Sequence, residues 1–65
     1  MGYTATENDW YVLEAMRRYG GSFVQALAEC FSHADVANYH ILRHAFHEYW
    51  EIYQKVAAEK LDELK

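Results

Sequence analysis

The sequence predicts an all-α fold, a small bundle of three to four short helices in a single domain over residues 1–65. Three observations carry that prediction. Tyr39, Leu42, Phe46, Tyr49, Trp50 and Tyr53 recur at three- and four-residue steps, the spacing that gathers side chains on one side of a helix. Two capping-box patterns, Thr4-Ala5-Thr6-Glu7 and Ser22-Phe23-Val24-Gln25, announce helix starts upstream of that run. The chain has no proline, and no stretch alternates apolar and polar residues as a half-buried strand would.

The first helix is expected to open near Thr4 or Thr6, with Glu7 and Asp9 in its first turn, where the helix dipole favours acids. Trp10, Leu13 and Met16 form its core stripe, Val12 and Tyr19 flank it, and Arg17 and Arg18 occupy the last turn. Gly20-Gly21 then stops it, because glycine just past a helix tolerates the left-handed closing conformation. A second helix follows from Ser22, its apolar face made of Phe23, Ala26, Leu27, Cys30 and Phe31. Asp35 reads as the next N-cap. From there the pattern permits either one helix to Leu64 or two helices merged or kinked near Phe46–His47. The mixed charges from Lys55 to Lys65 predict a solvated end that frays.

A chain of 65 residues has room for one modest core, and Cys30 is its sole cysteine, so an internal disulfide is excluded. Aromatic residues make up 17%, more apolar surface than a three-helix monomer readily hides, which implies a covered face and, most simply, a homodimer. The net charge of −4 argues against nucleic acid, since such binders carry a basic stripe. Gly20-Gly21 between two helices loosely suggests a helix-turn-helix, but the segment from Phe23 to Phe31 contains Glu29 and neither lysine nor arginine. No apolar run approaches a membrane span and the amino terminus lacks a secretory signal, so a soluble protein of the cytoplasm is expected. Met1-Gly2 with Thr6 fits the loose N-myristoylation pattern, which is often met by chance.

The strings Tyr19-Gly20-Gly21-Ser22-Phe23 and Ala45-Phe46-His47-Glu48-Tyr49-Trp50, with Ala34-Asp35 and Asn38 between them, resemble small helical proteins of unknown function encoded by bacteriophages and prophages. The resemblance covers roughly Trp10 to Tyr53. It implies a bacterial host cell and a helix boundary at Phe46–His47, because the relatives often place proline where this chain has His47. It implies no activity.

The residues point to a binding protein rather than an enzyme. Cys30 beside Phe31 reads as a small buried hydrophobe, and no base accompanies it. Gly20-Gly21 lacks the lysine of a phosphate loop. His40 and His44 have the four-residue spacing at which two imidazoles share a metal, and Glu48 lies one further turn on, so a metal held by His40, His44 and Glu48 is the alternative reading. His47-Glu48-Tyr49-Trp50-Glu51 is not a zinc-protease helix, because Glu51 stands where the second histidine belongs. No cofactor is implied.

Tyr11, Tyr49, Trp50 and Tyr53 are the candidate partner-binding residues, tyrosine and tryptophan being enriched at interface hot spots. Adjacent Tyr49 and Trp50 lie about 100° apart on a helix, so one belongs to the core and the other to a flank; Trp10 and Phe46 are assigned to the core. The expected function is a non-enzymatic, phage- or mobile-element-type module that binds protein, homodimeric, with a host factor or defence system as outer partner.

Overall fold

A computed structural model describes residues 7–65, in which five helices follow one another without a strand: α1 (Glu7–Tyr19), α2 (Ser22–His33), α3 (Val36–Ala45), α4 (His47–Glu59) and α5 (Leu61–Leu64). The all-α prediction holds, with one short helix more than expected. Thr4 and Thr6, the cap residues expected for α1, lie outside the described residues.

α1 is the central element. Val12, Leu13, Ala15 and Met16 are all buried, an arc wide enough to meet α2 on one side and α4 on the other. Trp10, expected in that stripe, is instead 45% exposed and rests edge-on against Tyr11. Next to a helix that already offers four core residues within two turns, an indole at the open end of α1 has no remaining space to fill.

The α1–α2 junction ends as predicted but for a different reason. Neither Gly20 nor Gly21 has a positive φ. The Gly20 amide donates to the Met16 carbonyl at 3.0 Å, and a Cβ on Gly20 would lie 2.5 Å from that same oxygen and 2.5 Å from Val24 Cγ1. Glycine is needed there for close approach rather than for a left-handed turn. The capping box at Ser22 does not form: Gly21 is the N-cap of α2, no side chain caps it, and the Gln25 side chain donates to the Gly20 carbonyl at 3.1 Å.

The buried face of α2 is Val24, Leu27, Ala28 and Phe31. Relative to the expected face it is rotated toward Val24 and Ala28, which leaves Phe23 56% exposed and Ala26 and Cys30 at the surface. Cys30 is thus not the buried hydrophobe the sequence suggested. Arg17 fastens α2 to α1, donating to Glu29 at 3.1 Å and to Ser32 Oγ, while also pairing with Glu14 at 3.0 Å. These are surface interactions, each worth under about 1 kcal/mol.

Asp35 caps α3 as predicted: its carboxylate accepts from the Asn38 amide at 2.8 Å. The long pattern from Asp35 does break at Phe46, whose φ of −116° and ψ of 34° leave the helical region. The His47 ring Nδ1 lies 3.1 Å from the His44 carbonyl and satisfies one of the carbonyls freed at the end of α3.

The carboxyl-terminal end is held, not frayed. After Lys60, Leu64 is 2% exposed and packs with Ala15 and Ala57, two small side chains that let α5 approach α1 and α4. Arg18 donates to the Glu63 carbonyl and the Tyr19 hydroxyl to the Glu63 carboxylate, each at 2.9 Å. The main core joins Val12, Leu13 and Met16 to the α2 face, Ala34, Tyr39 and Trp50, and Tyr53 packs against both this cluster and the one around Leu64.

Candidate functional site

Of the four aromatic residues nominated for partner binding, the fold leaves one at the surface. Trp50 is 3% exposed, enclosed by Phe31 and Tyr39 with the Arg43 guanidinium over its ring at 4.0 Å. It is a core residue of the isolated chain, and Tyr49 is the flank residue of the adjacent pair. Tyr53 and Tyr11 are half-buried, Tyr53 bridging the two core clusters and Tyr11 packing against the one around Leu64. Both fill the interior more than they face solvent.

Tyr49 has neighbours that sequence spacing did not connect to it. Its ring lies 5.6 Å from Phe23 and 6.2 Å from Phe46, and Phe23 and Phe46 are themselves 6.1 Å apart. This trio joins the start of α2, the bend at Phe46 and the first turn of α4. Phe46 is half-buried, while Phe23 and Tyr49 are exposed. One turn along α4, Ile52 is 54% exposed. An aromatic and aliphatic surface therefore runs from Phe23 over Tyr49 to Ile52. The signal for it was the overlap of two apolar faces on α2: seven apolar residues in a helix of 12 are more than one buried stripe accommodates.

The histidine alternative loses its geometry at the bend. His40 and His44 are exposed on α3, whereas Glu48 belongs to α4, so the three no longer follow one continuous helix face. No group of three or more His, Cys, Asp or Glu side chains gathers in metal-binding range among the described residues. A cleft of about 250 Å³ between α1 and the α4–α5 end is lined by Asn8, Tyr11, Val12, Gln54, Ala57, Ala58 and Leu61. It lies below the usual size of ligand pockets, and Tyr11 is the one titratable side chain among those lining residues.

The one strongly displaced titration among the described residues belongs to the core. Burial pushes the Tyr39 phenol up to about 12; the nearby Arg43 opposes that shift and the Asp9 carboxylate, which accepts the phenolic proton at 2.9 Å, adds to it. Displaced groups mark active sites when they face a cleft, but Tyr39 is 2% exposed between Phe31 and Trp50 and ties α3 to α1. Because the folded value lies above the unfolded value of 10.0, the contribution of this tyrosine is complete below pH 10 and is lost as pH rises through 12. Thermal melts should therefore show stability falling by about 2 kcal/mol across that interval, and the Tyr39→Phe variant should show a shallower fall.

No helix among the described residues is long and apolar enough to cross a membrane. No family model, curated protein or solved structure matches this chain.

Proposed function

We propose that this chain is a non-enzymatic protein-binding module that works as a homodimer, its contact surface centred on Phe23, Tyr49 and Ile52. The observation that carries the reading is the exposure of those three large apolar side chains, 56%, 37% and 54%, with Phe23 in ring contact with Tyr49 and Ile52 three residues further along α4. Apolar surfaces of this kind, continuous across two elements, mark interaction sites on small proteins. Tyr11 and Tyr53 are half-buried against the cluster of Ala15, Ala57 and Leu64 and are not part of that surface. The resemblance of the Tyr19–Phe23 and Ala45–Trp50 strings to phage and prophage proteins makes a host protein the natural second partner.

Sedimentation equilibrium of the untagged protein, from micromolar to near-millimolar concentration, tests the reading. A monomer–dimer equilibrium is expected. A monomer over the whole range would remove the homodimer.

A further inference from the structure

We propose that the second copy docks on α4 in a two-fold, antiparallel arrangement, with the axis passing near Ile52 and Glu48 of each chain facing Lys55 of the other. This rests on the homodimer reading and adds to it the geometry and the residues that fix the register.

The apolar part comes first. Tyr49, Ile52 and Val56 stand at i, i+3 and i+7 along α4, a narrow stripe beside the face that carries Trp50, Tyr53 and Ala57 into the core. Tyr49 and Ile52 are exposed, Val56 is half-buried, and Phe23 widens the stripe at its amino-terminal end. A stripe of this width suits a helix from another chain packed alongside.

Charge then selects the occupant. Glu48 and Lys55 are both exposed, and neither has an ion-pair partner among the described residues. They stand seven residues apart, close to two full turns, so they project on the same side of α4 and flank Ile52 at opposite ends. When two such helices run antiparallel about an axis level with residues 51 and 52, residue 48 of one is level with residue 55 of the other. The same relation repeats by symmetry, which gives two cross-chain pairs of opposite sign. Self-complementarity of this kind is what an isologous two-fold contact requires. It also answers the repulsion between two chains that each carry a net charge of −4. Glu59 lies beyond the overlap, because the bend at Phe46 ends α4 before the opposing helix reaches it.

The test reverses the charges. E48K sets a new lysine against Lys55 of the other copy, and K55E sets a new glutamate against Glu48; both sites are on the surface, and a thermal melt of each variant checks the cost of losing the first-turn acid of α4, about 1 kcal/mol at most. Each single variant should dimerise about tenfold more weakly than wild type at low salt, two attractive pairs per dimer having become repulsive. An equimolar mixture of E48K and K55E pairs lysine with glutamate at both ends, and its association in sedimentation equilibrium should return to the wild-type strength. The E48K/K55E double variant should do the same on its own. Single variants that dimerise like wild type, or a mixture that gains nothing over its components, would overturn this geometry while leaving the homodimer in place. A wild-type chain that stays monomeric would overturn both.

Discussion

Truncating Trp50 to alanine should remove a third or more of the protein's stability. The indole is 3% exposed and meets Phe31, Tyr39 and the Arg43 guanidinium, so it joins α2, α3 and α4 in one contact set. Removing so large a buried ring costs about 3–5 kcal/mol, from lost transfer energy together with the cavity left behind. A domain of 65 residues has roughly 3–10 kcal/mol of stability in all. The loss is therefore a large part of the whole. Near-UV circular dichroism and a thermal melt would read it directly. Trp10→Ala is the matched control: with 45% of that residue already in solvent and its ring on Tyr11 alone among the described aromatic residues, the change should stay below about 1 kcal/mol. Equal effects at the two tryptophans would show that the core is not organised around Trp50.

Gly20→Ala should also be strongly destabilising, although it adds only one methyl group. That methyl would stand 2.5 Å from the Met16 carbonyl oxygen and 2.5 Å from Val24 Cγ1, and Val24 is itself held in the core. Neither neighbour can swing away as the end of a long side chain could. Overpacking of this kind costs about 1–3 kcal/mol, and a clash with backbone belongs at the upper end. For a domain this small, that lowers the melting temperature by about 10–20 °C. Gly21 offers the comparison within the same turn, because a Cβ there meets nothing within 4 Å and the backbone is extended at φ −76°. Gly21→Ala should change stability by less than about 1 kcal/mol, weaker N-capping being offset by a less flexible unfolded chain.

These expectations also show which features were legible in the sequence. Two boundaries were, because each rests on local chemistry: a glycine pair after Tyr19 and a carboxylate at Asp35 positioned for the Asn38 amide; the periodicity left the bend at Phe46–His47 open, and the break at Lys60 had no local signal. The facing of each helix was harder to read. In α2, Phe23, Ala26 and Cys30 make as good a helical stripe as Val24 and Ala28 do, and only the docking of α2 against α1 decides between them. In α1 the central position buries four residues on a broad arc, so the large Trp10 at its end is displaced by smaller neighbours nearer the middle. The end of the chain misled through its charges. Lys60, Asp62 and Glu63 look solvated and are exposed, but Leu64 among them reaches the gap that Ala15 and Ala57 leave open.

The candidate surface was legible in part. Tyr49 was visible from its offset of one residue from Trp50, which assigned one of the two to a flank. Phe23 was missed as a surface residue because a large aromatic at helical spacing reads as core. The contact between Phe23 and Tyr49, 26 positions apart, depends on how α2 and α4 meet and has no local signal. The histidines show the opposite case. Their four-residue spacing was real, yet Glu48 stands on a different helix from His40 and His44, and no group of three such side chains gathers in metal-binding range among the described residues.

The most direct test of the dimer surface is a dilution series of amide NMR spectra on uniformly labelled protein, from near-millimolar down to micromolar concentration. Shifts that move with concentration are expected at Phe23, Tyr49 and Ile52 and along the exposed side of α4 as far as Lys55, while Trp10 and the α5 segment stay fixed. Spectra that do not change with concentration, or changes gathered on a different face of the molecule, would contradict it.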